Sequence, residues 1–123
     1  MLLTVGAVLG FLSIALGAYV DHGLRFSLDE EALRSVLTAL RYQQLHAVVI
    51  VIIGLVLLHP NFDSYRTLLT WAGWGFVTGI VLFSGGILTG TIASLPGLIA
   101  LAPIGGTALM ASWLLLAWIG LRS

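Results

Sequence analysis

The chain has 123 residues, 59% of them hydrophobic and 8% charged, with a mean hydropathy of +1.11. A soluble domain carries about 25% charged residues, so ten charges cannot coat a globule of this size, and a soluble enzyme, a soluble binding module and a disordered chain are excluded. Five Arg balance five acids, which leaves no electrostatic footprint for nucleic acid, and the absence of Cys excludes disulfides and thiolate chemistry. What remains is a single all-α domain over residues 1–123, an integral membrane four-helix bundle whose first partner is the lipid bilayer.

Nine of the ten charges lie between Asp21 and Arg66, and Thr67 to Leu121 carries none. A spanning helix needs about 20 mostly apolar residues, and the spans are expected at about 1–20, 37–58, 65–91 and 103–121. The first lacks a basic leading region and an A-x-A-like cleavage site, which argues against a removable signal peptide. Its Gly6 and Gly10 form a small-xxx-small pair that lets another helix approach closely. Next, Ser27-Leu28-Asp29-Glu30 reads as a capping box with Ser27 as N-cap. It starts one long helix from about Leu28 to Leu58, whose first turns form an interfacial amphipathic extension on helix 2. There Glu30 and Arg34 stand four apart, the spacing of a surface ion pair.

Pro60 makes His59 to Asp63 a turn. The third span follows, with Gly75/Gly79 and Gly86/Gly90 as further packing pairs. Ser94-Leu95-Pro96-Gly97 breaks the chain, and Leu98 to Ala102 is either a short interfacial helix or the start of the last span. Pro103 suits a first helical turn or a kink. Four spans put both termini and the 59–64 turn on one side, the terminal side. Loop 1 (21–36) and loop 3 (92–102) then share the other side, the loop side. Trp71, Trp74 and Trp118 fall near the terminal side, as an aromatic belt does. Three Arg against two give no orientation by the positive-inside rule.

Tyr42, Gln43 and His46 share one face of helix 2 at 100° per residue. They form either a satisfied polar seam or a ligand or proton site, because intramembrane ionisable groups are costly and often functional. His22 reads first as an interfacial histidine. Ser84 reads first as a hydroxyl bonded to its own helix backbone, and Gly105-Gly106 as close packing. Topology nevertheless puts all of them toward the loop side. A shallow polar pocket of His22, Tyr42, Gln43, His46 and Ser84 is therefore expected there, with Asp21 and Arg41 as charge partners.

Gly17-Ala18-Tyr19-Val20-Asp21-His22-Gly23-Leu24 resembles the G-A-F-G-A-H-G-L signature of a small membrane-protein family, domain of unknown function 423. Tyr42-Gln43 with His46, Leu82-Phe83-Ser84-Gly85, and Ala102-Pro103-Ile104-Gly105-Gly106 with Trp113 carry the same resemblance. Val20-Asp21 replaces the usual Gly-Ala, and Gly86 stands where the family has Ser. The resemblance implies a four-helix protein of the bacterial inner membrane with cytoplasmic termini. It brings no established activity, substrate or cofactor.

Three function classes compete. The first is a non-catalytic accessory or assembly component, or a binder of a lipid or other apolar ligand, with a membrane-protein partner or a homo-oligomer as its setting. The second is a small transporter or proton-coupled carrier working as an oligomer, through Asp21, His22 and His46. Past Arg66 at its edge, span three offers it no ionisable group, and span four offers none. The third is an enzyme or redox protein, for which no C-x-x-C-H, H-E-x-x-H or G-x-S-x-G motif is present. The first is preferred, with no catalytic residue, no metal site and no cofactor expected.

Overall fold

A computed structural model describes residues 1–122. The described residues hold helices and no strand: α1 (Leu2–His22), α2 (Glu30–Val56), α3 (Arg66–Ile80), α4 (Gly86–Ile92), α5 (Pro96–Ile99) and α6 (Ala102–Gly120). A π-helical turn, Val81–Gly85, joins α3 to α4 as one rod. Four stretches are long and apolar enough to cross a membrane: Leu2–His22, Glu30–Val56, Pro60–Ile92 and Pro96–Gly120. The molecule is an all-helical integral membrane bundle. Closed helices suit that solvent because hydrocarbon offers backbone N–H and C=O groups no partner.

Lipid tails are as apolar as Leu, so the helices associate through close backbone approach rather than through water exclusion. The glycines show where. A Cβ on Gly6 would lie 2.8 Å from the Val51 nitrogen, and one on Gly54 2.5 Å from the Leu3 nitrogen, so α1 and α2 touch backbone to backbone. A Cβ on Gly79 would lie 2.6 Å from Leu109 Cδ2, and one on Gly105 2.6 Å from the Gly79 carbonyl oxygen, which presses α3 onto α6. Gly75 meets the Ser112 hydroxyl in the same seam. Gly86 and Gly90 seat α5, at 2.6 Å from the Leu98 oxygen and from Ile99 Cγ1. Two of the expected packing positions differ. Gly10 and Gly106 leave 4.0 and 3.8 Å to the nearest side chain; Gly10 looks into an open groove, and Gly106 has room for ordinary contact with the Phe83 ring. Gly54 and Gly73 take tight positions that the pair spacing did not single out.

The capping box at Ser27 is corrected. A 3-10 turn, Leu24–Phe26, captures Ser27, whose hydroxyl donates to the Leu24 carbonyl at 3.1 Å. Asp29, in extended geometry, is the N-cap instead and accepts from the Ala32 N–H at 2.8 Å. Arg34 and Glu30 meet at 3.4 Å, as their spacing requires. Pro103 sits in the first turn of α6, and Pro96–Ile99 forms a short helix of its own.

Ser94 ends α4 with φ 55°, the left-handed conformation, and the Leu95 N–H reaches the Gly90 carbonyl at 2.9 Å. That is a Schellman-type cap with Ser where Gly is usual. On the terminal side, Arg66 ties the middle turn together by donating to Asp63 at 2.6 Å and to the Leu57 carbonyl at 3.0 Å. The Tyr65 hydroxyl donates to the Arg122 carbonyl, and the Arg122 guanidinium lies 4.1 Å over the Trp118 ring.

Two apolar clusters fill the bundle. One, around Phe76, Ile50 and Ile80, occupies the terminal half. The other, around Val20, Val36 and Leu40, occupies the loop half. The polar residues of α2 lie between them.

Candidate functional site

Helix α2 contacts both α1 and the α3–α6 half, so its polar arc meets different neighbours at its two edges. Gln43 turns to one edge and donates its side-chain N–H to the Leu9 carbonyl of α1 at 3.1 Å. His46 turns to the other. Its Nδ1 lies 2.8 Å from the Tyr42 carbonyl, one turn back, and its Nε2 lies 3.1 Å from the indole Nε1 of Trp113 on α6. A carbonyl only accepts and an indole N–H only donates. Nδ1 must therefore carry the hydrogen and Nε2 the lone pair, so both bonds require the neutral Nδ1–H tautomer. Burial agrees, with 2% of His46 exposed.

Aromatic rings close around it. Phe76 stands 5.4 Å from the His46 ring centroid, Tyr42 5.9 Å and Trp113 6.1 Å. Phe83 packs on Tyr42 at 4.8 Å. Each pair lies within the range at which ring quadrupoles stabilise tilted or edge contacts.

Ser84 departs from its first reading. Its hydroxyl does not bond to its own helix but crosses to α2 and donates to the Ala39 carbonyl at 2.8 Å, fully buried. The π turn accounts for this. An extra residue in the turn shifts the phase by about 100° and brings Ser84 to the α2 side, while Phe83 faces Gly105 and Tyr42. The accepting carbonyls of Leu9, Ala39 and Tyr42 sit inside helices, where a second lone pair remains free for a side-chain donor. No buried side-chain polar atom among the described residues lacks a partner.

The expected pocket set is thus divided. Gln43, His46 and Ser84 form a closed polar layer at mid-depth, with Tyr42 half exposed at its edge. His22 stands apart, exposed at the end of α1. Asp21 pairs with Arg25 at 3.7 Å, and Arg41 has no ion pair or hydrogen bond among the described residues. The five residues do not line one open pocket, because each buried one is already bonded to a neighbouring helix. A loop-side cleft of about 250 Å³ does exist, but Arg34, Ser35, Thr38, Ile87, Thr91, Ile99 and Ala102 line it. Among the described residues no group of three or more His, Cys, Asp or Glu gathers to hold a metal.

Sequence reasoning gave Trp113 no role beside His46. The two are 67 residues apart, and no local period links them. The three accepting carbonyls are backbone atoms, to which residue type gives no clue.

Three grooves open on the membrane-facing surface. One of about 420 Å³ runs between α1 and the α3–α4 rod, lined mostly by Leu12, Leu16, Tyr19, Val81, Leu88 and Ile92, with Gly85 and the edge of Gln43 on its wall. A second, of about 380 Å³, runs between α2 and α6 beside Trp113. The third, of about 360 Å³, follows α1 and α2 past Gly6, Gly10 and Gln44.

Residues 16–106, which include Gly17 to Leu24, the α2 polar arc and Ser84, match the model of a family described as protein of unknown function, DUF423. The chain belongs to the DUF423 family. A UPF0382 membrane protein of Haemophilus influenzae is 32% identical over 98% of this chain and 94% of its own length. The UPF0382 membrane protein YwdK of Bacillus subtilis is 32% identical over 91% of this chain and 89% of its own. A UPF0382 membrane protein of Schizosaccharomyces pombe is 36% identical over 89% and 92%. No solved structure is significantly similar. In this DUF423 chain every motif that carried the resemblance contributes to the polar layer, to a seam between helices or to the end of α1.

Proposed function

We propose that this DUF423 protein is a non-catalytic membrane component that binds a lipid or other apolar ligand along its helix grooves. The observation that carries the reading is the closure of the polar layer. Both ring nitrogens of His46, the Gln43 amide and the Ser84 hydroxyl are bonded to protein atoms, so proton transfer or ligation through them requires breaking the bundle. What the surroundings meet is apolar groove. The widest lies between α1 and the α3–α4 rod, where an acyl chain finds Leu, Val and Ile walls.

Native mass spectrometry from mild detergent tests this. The protein should carry lipid-mass adducts. Gly85→Leu should reduce them while leaving the melting temperature unchanged, because a Cβ at Gly85 meets nothing within 4 Å and projects into the groove. A ligand-free spectrum for the native protein would refute the reading.

A membrane-protein partner or a second copy is the alternative occupant of such a surface. Gln44 favours it. Its amide faces the α1–α2 groove without a hydrogen bond among the described residues, and a partner helix in lipid can satisfy it. Relatives named membrane proteins support the membrane location; the inner, plasma membrane and cytoplasmic termini are our proposal, following what the family resemblance implies.

A further inference from the structure

We infer that the loop-side cleft, with Arg41 beneath it, is a binding site for the phosphate of an anionic phospholipid headgroup. The inference rests on the binding reading above and adds the headgroup class and its place. The cleft lies where the first turns of α2 face α4, α5 and the start of α6. Its polar wall is Arg34, Ser35, Thr38 and Thr91. The hydroxyls of Thr38 and Thr91 make no hydrogen bond among the described residues. Arg34 is held only by an exposed, 3.4 Å contact to Glu30.

Arg41 follows Arg34 by seven residues. That places it about 10 Å deeper along α2 and within about 20° of the same face. It is exposed and has no ion pair. After Glu31 the chain has no carboxylate until Asp63, which lies on the terminal side and binds Arg66. The carboxylates at the cleft mouth are those of the first α2 turn, Asp29, Glu30 and Glu31, of which Asp29 caps the helix and Glu30 meets Arg34. Among the described residues nothing neutralises Arg41. A long cation within an apolar span turns its head toward the nearest interface, here up along the face that carries Thr38 and Arg34. One guanidinium group and two free hydroxyls line the cleft, and the second guanidinium stands below it on the same face of α2. Such a set suits a phosphate, which accepts bidentate bonds, and favours a headgroup of net negative charge over phosphatidylcholine, whose phosphate is accompanied by a cationic trimethylammonium group. Ile87, Ile99 and exposed Leu45 offer the acyl chains a path down from it.

The test is competitive lipid retention by native mass spectrometry. It uses equal amounts of phosphatidylglycerol and phosphatidylcholine with identical dioleoyl chains. The native protein should retain phosphatidylglycerol over phosphatidylcholine by roughly thirtyfold, the scale expected for two cations at a membrane surface. Arg34→Gln/Arg41→Gln should bring the ratio near one, Arg41→Lys should keep most of it, and Arg25→Gln on the same side should leave it unchanged.

Equal retention of both lipids by the native protein would overturn the headgroup site while leaving the binding reading intact. Retention of neither would overturn both. An unchanged ratio in the double variant, or its equal loss in Arg25→Gln, would overturn the assignment to this cleft. Displacement of the lipid by inorganic phosphate alone would make it a free-anion site and overturn the lipid source. Both arginines are exposed, and unchanged melting of the double variant verifies that the fold is intact.

Discussion

His46 is the residue on which the interior turns, because its ring donates back to Tyr42 of α2 and accepts from Trp113 of α6. Trp113→Phe keeps the ring and removes the one donor to Nε2. A buried acceptor left without a partner costs about 1–3 kcal/mol, and detergent unfolding should show a loss of that size. Ser84→Ala removes a donor but leaves Ala39 its own helical partner. Its cost should be nearer 0.6 kcal/mol, about the mean measured for hydrogen bonds between membrane helices. The order of the two variants is the sharper expectation. A Ser84→Ala loss larger than that of Trp113→Phe would contradict the account of the layer. The polar arc of Tyr42, Gln43 and His46 was legible from helical phase alone. Its partners were not, because they are a side chain 67 residues away and three backbone carbonyls.

The helices pair where residues are small enough for backbones to meet. Gly105→Ala drives a methyl against the Phe83 backbone nitrogen and to 2.6 Å from the Gly79 oxygen, so α6 must move off α3. Overpacking of this kind costs about 1–3 kcal/mol. Gly10→Ala, with 4.0 Å to spare, should be neutral or slightly stabilising in the same unfolding measurement. Equal effects would mean that the α3–α6 seam is looser than described.

At the end of α4, Ser94 holds a left-handed conformation that costs an L-residue about 1 kcal/mol. Ser94→Gly relieves it at some expense in unfolded-chain entropy, and a net gain of about 0.5 kcal/mol is expected. Small-residue spacing identified most of the seams, since a period of four puts glycines on one face. It could not say which faces meet a neighbour, and so gave Gly10 and Gly106 the same weight as Gly6 and Gly105. The start of α2 moved from Ser27 to Asp29 for a related reason. Two competing local motifs share those residues, and the 3-10 turn takes the serine.

Across the molecule, hydropathy made the four spans and the all-helical class plain before any coordinates, because charges are confined to Asp21 to Arg66 and to Arg122. The expected loop-side pocket of His22, Tyr42, Gln43, His46 and Ser84 shares no residue with the cleft found there, which Arg34, Ser35, Thr38 and Thr91 line instead, because helical phase alone does not say which faces of α2 and α4 leave a gap. Sidedness has a direct check, because the chain has no Cys. A single cysteine at Ser64 should react with an impermeant maleimide only from the cytoplasmic side, and one at Gly97 only from the opposite side. The reverse pattern would invert the proposed orientation.

The claim that binding resides on the outer grooves and the polar layer is architecture is tested most directly by one native mass spectrum. His46→Leu removes the ionisable group of the layer and replaces no residue that lines a groove, although it frees the Trp113 N–H. If the account holds, the folded variant carries the same lipid adducts in the same proportions as the native protein. Loss of those adducts from a variant that still melts cooperatively would put the ligand at His46 and contradict it.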